Sequence, residues 1–212
     1  MSGTCIMGAM RKDRKKIKKN MEITPLFSKP LAMTTLVLSD EEYNKIDEVL
    51  KHNKVEIRSN NLNVLGDSRL KFLKDDIIKV CNDYWLNTLR YRTQLQLTTS
   101  WFTSLDKGQR TDWHKHANSI LSGIFYFGDH FSPLTYRNFD KGHSYDIEPI
   151  EHNIYNSDNW HMKPFKGLLT FFPSEVYHKV QETDLKRTSM AFNFIPTGTY
   201  GPGDSIVSIN ES

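Results

Sequence analysis

Only two cysteines, Cys5 and Cys81, occur in the 212 residues, and they do not form a CxxC pair. A disulfide framework is therefore excluded, and a reducing compartment, the cytoplasm, is the natural setting. No apolar run approaches the ~20 residues that a membrane span needs. The N-terminus has no apolar core of the kind a secretory signal carries. Walker A, GxGxxG and GxSxG sequences are missing, so phosphate-cradling loops and nucleophile elbows have no support. Internal repeats are also missing. What remains is 38% hydrophobic, 12% aromatic and 25% charged, the profile of a soluble globular chain long enough to enclose one core.

The net charge of +3 is unevenly spread. Residues 1–20 hold Arg11, Lys12, Arg14, Lys15, Lys16, Lys18 and Lys19 against Asp13, a local +6 that leaves the other 192 residues at −3. A basic block of this kind can mark a nucleic-acid contact. It has no aromatics and no apolar period, so it reads as a solvated, disordered tail, and Met21 can serve as an alternative start. The mildly acidic remainder, residues 21–212, reads as one domain that does not bind nucleic acid.

After EITPLFSKPLAMTTLVLS, which reads as extended, a helix is predicted from Ser39 or Asp40. Ser39 can cap it, Glu42 stands three residues on, and Tyr43, Ile46, Val49 and Leu50 follow at helical spacing. A second helix carries Leu70, Leu73, Ile77, Val80, Cys81 and Tyr84 on one face and runs to about Leu89. From Arg90 the period changes. YRTQLQLTTSWFTSL, SILSGIFYF, KGLLTFFP and RTSMAFNFIP read as strands. A polar insert spans residues 128–166. Helical support over 39–89 and strands over 90–197 predict an α+β, mainly β fold: a sandwich or barrel with the N-terminal helices packed on one sheet.

DWHKHAN, residues 112–118, raises the functional question. In a strand, Asp112, His114 and His116 share one face, so two imidazoles can take adjacent metal positions. His178 follows a strand and a Pro-containing turn and is the best third ligand. In RTSMAFNF, alternation places Arg187, Ser189, Ala191 and Asn193 on one face and Met190, Phe192 and Phe194 on the other. A guanidinium on the small, polar face of such a strand points into an enclosed site, where it needs an anionic partner. Ser189 can add a hydroxyl to the same partner.

These features together resemble the 2-oxoglutarate- and Fe(II)-dependent oxygenase superfamily. Its motif is His-x-Asp/Glu, a distal His some sixty residues later, and an Arg nine or ten beyond. Here His114 and His178 are 64 apart, and Arg187 follows nine later in an Arg-x-Ser triplet. HKHANSILSGIFYF and KGLLTFFPSEVYHKVQETDLKRTSMAFN are most similar to a group found in bacteria and in viruses of marine cyanobacteria. The resemblance spans roughly residues 22–195. It implies a double-stranded β-helix, a jelly-roll or cupin-like barrel, with Fe(II) as metal and 2-oxoglutarate as co-substrate. Its implied activity is a dioxygenase that hydroxylates a small-molecule or peptide substrate and releases succinate and CO2. The setting would then be the cytoplasm, or the host cytoplasm for a virus-encoded chain. A homodimer is compatible with all of this, and no membrane contact is implied.

One departure matters: His116 occupies the superfamily's carboxylate position. Three readings stay open. His114, His116 and His178 can form an all-nitrogen triad; Asp112 can complete a two-histidine, one-carboxylate set with His114 and His178; or one position can be left to water or halide. Under the resemblance Arg187 grips the far carboxylate of 2-oxoglutarate, with Ser189 supporting. Tyr126 and Asn193 are candidates for the same co-substrate, although either can equally be a packing residue. Trp101 and Trp113 can flank the mouth or simply pack. His130, His143, His152 and His161 read as surface residues. The 128–166 insert reads as a lid or substrate-selecting loop. Two other classes compete: a three-histidine cupin-type dioxygenase that uses no keto acid, and a non-catalytic binding barrel that has lost its metal.

Overall fold

The computed structural model describes residues 23–139 and 148–210. The basic tail and the middle of the insert, with His143, lie outside the described residues. Helix α1 (Asp40–Lys51) starts where the sequence predicts. Ser39 Oγ accepts from the Glu42 amide at 3.3 Å, and the Glu42 carboxylate accepts from the Ser39 amide at 2.8 Å. This reciprocal pairing satisfies two N–H groups that a helix start leaves open. Helix α2 (Lys71–Asp83) buries Leu73, Ile77 and Cys81. It continues as a wider π-helical turn, Tyr84–Thr88, rather than as regular helix to Leu89. The change coincides with the seating of Trp85, whose indole donates to the Thr93 carbonyl and stacks on Tyr91. No described helix is long and apolar enough to cross a membrane.

Ten strands are described: β1 (Ala32–Thr35), β2 (Leu95–Leu105), β3 (Leu121–Phe125), β4 (Leu134–Arg137), β5 (Asn159–Met162), β6 (Leu168–Pro173), β7 (Tyr177–Val180), β8 (Arg187–Pro196), β9 (Gly198–Tyr200) and β10 (Val207–Ile209). The larger sheet is antiparallel in the order β1-β6-β3-β8-β2, and the smaller runs β5-β4-β7. β9 and β10 form a separate hairpin.

Alternation along the central strands sorts the side chains into two cores. Phe102, Phe125, Phe171, Met190, Phe192 and Phe194 face the helices and pack with Ile46, Val49, Ile77 and Cys81. Ile124, Tyr126, Leu168, Phe172 and Ala191 lie in the second core with Leu134, Tyr136 and Val180 of the smaller sheet. The result is three layers, helices on sheet on sheet, as the sequence predicts. Gly123 belongs to the close packing at the centre. A Cβ there would lie 2.2 Å from the Phe192 ring and 2.6 Å from the Thr170 carbonyl.

Two expectations need correction. The 128–166 insert is not simply a loop, because it contributes β4 and β5, two of the three strands of the smaller sheet. Leu134, Tyr136 and Met162 anchor it in the second core. Its polar composition hid the short, mostly buried strand LTYR. DWHKHAN, in turn, is not a strand. It meets β7 at a single bridge, where His114 and His178 exchange main-chain hydrogen bonds of 3.1 and 2.9 Å.

Candidate active site

The bridge places His114 beside His178, the second residue of β7. His116, two residues on, is tied by its amide to the Ser174 carbonyl at 2.9 Å. The ring centroids are 4.3 Å apart for His114 and His178, 5.1 Å for His116 and His178, and 5.6 Å for His114 and His116. One ring nitrogen from each lies within 4.8 Å of the other two. Three imidazoles in this arrangement could hold one metal ion.

The hydrogen bonds behind the rings identify the free nitrogens. Nδ1 of His114 meets the Asp112 carbonyl at 2.8 Å, and Nδ1 of His178 meets the Val176 carbonyl at 3.0 Å. Nδ1 of His116 meets the Asn193 side-chain oxygen at 2.7 Å and Ser122 Oγ at 2.8 Å. A carbonyl or amide oxygen only accepts, so each Nδ1 carries the proton and each Nε2 keeps a lone pair. Metal-binding histidines are oriented in this way. Burial favours the neutral form of two of the rings, His116 and His178. His178 is pushed down to about 3, chiefly by desolvation, with the charge of a protonated His114 adding to the effect. His116 is also held below the ordinary imidazole value, chiefly by burial; Asn193 acts in the opposite sense, and His114 and Arg58 add smaller downward effects.

The three rings open onto a cavity of about 50 Å³ whose walls include Arg187, Ser189, Ala191, Ile124 and Leu134. Arg187 is 1% exposed, and among the described residues none of its three guanidinium nitrogens has a hydrogen-bond partner. Desolvation lowers its affinity for the proton, with the Tyr126 hydroxyl acting in the opposite sense. The guanidinium lies 5.7 Å from the Tyr126 ring centroid, and the Tyr126 hydroxyl is likewise buried without a partner. A buried, unpaired guanidinium costs several kcal/mol, which an anion in the cavity would offset. An anionic group bound here would meet Arg187 at one side and a metal on the three imidazoles at the other.

The remaining sequence candidates separate clearly. Ser189 lines the cavity, as alternation predicts. Asn193 is not a wall of this inner cavity; it bonds to the back of His116, and its amide nitrogen donates to Thr99 Oγ1 at 3.1 Å. The shared-face argument for Asp112 fails because its segment is not a strand. Asp112 is exposed, and its carboxylate is not among the clustered ligand atoms. Trp101 lines the cavity, 5.5 Å from the His116 ring, whereas Trp113 packs elsewhere, against Phe139 and beneath Arg137 and Lys179. His130, His152 and His161 are exposed.

Sequence reading missed Ser122, which bonds His116, Asn193 and Ser174 at 2.7–2.8 Å. Alternation in β3 could have found it, since Ser122 shares a face with Ile124 and Tyr126. Thr103 and Thr111 of the cavity wall were missed too, and nothing in their local sequence marks them.

Residues 99–193 match a family model described as "Putative 2OG-Fe(II) oxygenase". The matched segment, a little under half of the chain, is similar to the 2-oxoglutarate- and Fe(II)-dependent oxygenases. It runs from within β2 to within β8 and contains the three histidines and Arg187. Solved structures agree on the fold. A Pseudomonas putida prolyl-4-hydroxylase is 12% identical with a TM-score of 0.57, over 81% of this chain and 95% of that one. HygX from Streptomyces hygroscopicus, solved with nickel and 2-oxoglutarate bound, is 12% identical with a TM-score of 0.54, over 80% and 83%. A 2OG-Fe(II) oxygenase family oxidoreductase from Burkholderia pseudomallei is 12% identical with a TM-score of 0.52, over 77% and 83%. No curated protein sequence matches the chain significantly. The fold shared with these structures is the double-stranded β-helix, with its two sheets closing around the histidines and Arg187.

Proposed function

We propose that this oxygenase holds Fe(II) on Nε2 of His114, His116 and His178 and hydroxylates an organic substrate at the expense of 2-oxoglutarate. The overall change balances as substrate C–H, O2 and 2-oxoglutarate going to substrate C–OH, succinate and CO2. The bound iron and keto acid supply the oxygen activation and the electrons for it. The observation that carries the reading is the pairing of three clustered imidazoles with an Arg187 that has no hydrogen-bond partner among the described residues, across one small cavity.

The chain's own residues do the positioning. Carbonyls of Asp112 and Val176, with Asn193 and Ser122, fix the tautomer and tilt of each ring. Arg187 takes the far carboxylate of 2-oxoglutarate in a charge-assisted pair, with Ser189 and the Tyr126 hydroxyl as neighbouring polar groups. Ile124, Leu134, Val180 and Ala191 exclude water from the same space. With Asp112 outside the cluster, the all-histidine set is the reading that the geometry supports best.

The test is iron-dependent succinate formation by the wild type, His178→Ala and Arg187→Ala, together with direct iron and 2-oxoglutarate binding. Loss of iron binding in His178→Ala, and a much raised 2-oxoglutarate requirement in Arg187→Ala, are the expected results. Wild-type iron affinity in His178→Ala would refute the ligand set. Iron binding with no keto-acid binding in the wild type would favour a three-histidine dioxygenase, with Arg187 meeting a carboxylate of the substrate itself.

A further inference from the structure

Outside the inner cavity lies an open cleft of about 470 Å³, within the range of small-molecule sites. It shares Trp101, Thr103, Thr111, His114 and His116 with the inner cavity, so whatever fills it lies against the metal side of the site. Among the described residues that line this cleft, two are cations, Arg58 and Lys115, and none is a carboxylate.

Arg58 is held in place by its backbone. Residues 57–59 are stitched to the free edge of β2: the Ser59 amide donates to the Phe102 carbonyl at 2.9 Å, and the Ser104 amide to the Ile57 carbonyl at 3.1 Å. Arg58 pairs with Thr103 across this edge, and directly paired residues share a face. Thr103 is a wall of the inner cavity, so Arg58 stands at its rim. Among the described residues, neither Arg58 nor Lys115 makes a salt bridge. Other surface cations nearby are paired, as Lys186 is with Asp106 and Lys54 with Glu56. Lys115 rests only over the Tyr177 ring, at 5.3 Å.

The charge balance of the site points the same way. Fe(II), Arg187 and three neutral imidazoles sum to +3, and a 2-oxoglutarate dianion leaves +1. With no carboxylate among the described residues of either wall, that charge is unbalanced beside a buried inner cavity. A neutral substrate would leave it so and a cationic one would add to it, whereas an anion would offset it and be steered in by Arg58 and Lys115.

We infer that the substrate of this oxygenase is an anion, bearing a carboxylate or a phosphate, whose charged group docks at Arg58 and Lys115 in the outer cleft. The word substrate rests on the function proposed above; the docking of an anion does not require iron. The apolar and hydroxyl-bearing walls, Ile57, Leu62, Trp101 and Thr103, receive the rest of the molecule and leave it facing His114 and His116.

The experiment uses protein loaded anaerobically with Fe(II) and saturating 2-oxoglutarate, so that Arg187 is already engaged. Benzoate, phenyl phosphate and benzylamine are titrated separately, with binding followed by ligand-observed NMR. At least one of the two anions should bind tenfold or more tightly than benzylamine, and which one leads identifies the charged group. Arg58→Gln should lose that affinity at least tenfold, Arg58→Lys should regain most of it, and Lys115→Gln should lose about threefold. Lys179→Gln, which lies outside the cleft, should bind like wild type. Equal binding of all three probes, or anion binding indifferent to Arg58→Gln, overturns the inference. If the protein takes up no iron or keto acid, the same titration on protein as isolated separates the two proposals. Anion binding that still depends on Arg58 then leaves the cleft standing while the oxygenase reading falls.

Discussion

The side-chain oxygen of Asn193 lies 2.7 Å from Nδ1 of His116, joining the middle of β8 to a histidine 77 residues earlier in the chain. Asn193 is a positioning residue: it fixes which ring nitrogen faces the cavity. Asn193→Leu removes that acceptor, and by the behaviour of groups that orient metal-binding histidines it should weaken iron binding about 10–100-fold. Asn193→Asp keeps an acceptor and should restore most of the affinity. Competition titration against a chelator reads both, and unchanged affinity in Asn193→Leu would leave Ser122 as the orienting group.

Arg187→Met should move stability and binding in opposite directions. Without 2-oxoglutarate the wild type carries a buried guanidinium that nothing pairs. Replacing such a group by an apolar one of similar length removes an uncompensated desolvation cost, so the change should be neutral or stabilising. The thermal midpoint of the variant should therefore equal or exceed that of the wild type, while 2-oxoglutarate stabilises only the wild type. Differential scanning calorimetry with and without the keto acid checks both arms.

His178 gives the metal-free protein a pH dependence of definite sign. Its pKa falls from the ordinary 6.5 to about 3 on folding, so below 6.5 the unfolded chain takes up the proton first. Folding stability is complete above pH 6.5 and declines as the pH falls toward 3, by about 3 kcal/mol at pH 4. His178→Asn should flatten that part of the profile. Denaturant titrations between pH 7 and 4, carried out with a chelator present, provide the measurement.

Gly123→Ala should destabilise the fold by about 1–3 kcal/mol, the usual range for an overpacked core. The added methyl meets the Phe192 ring and the immovable Thr170 carbonyl between paired strands. Phe192→Leu in the same chain should recover only part of the loss, because the carbonyl remains. A urea midpoint unchanged by Gly123→Ala would contradict the close approach.

Much of the molecule was legible from local patterns. Ser39 and Glu42 announce the start of α1, and the alternation of RTSMAFNF separates Arg187 and Ser189 from Met190 and Phe192 as the structure does. The triad was legible for a different reason: His114, His116, His178 and Arg187 keep a family spacing even though the first two do not lie in a strand. What local reading could not see depends on partners distant in sequence. β4 is short and set in polar sequence, so only its pairing with β5 and β7 reveals it. Asn193 looks like a cavity residue by alternation, yet the ring of His116 lies between it and the open Nε2 face. Arg58, in a segment that reads as loop, gains its position from three contacts with β2.

The main-chain bonds exchanged between His114 and His178 act as a latch. Two of the three nitrogen donors are gathered by folding itself, so an arriving cation has little chain left to organise. Under the proposed function, iron should therefore leave and return without melting the sheets around it.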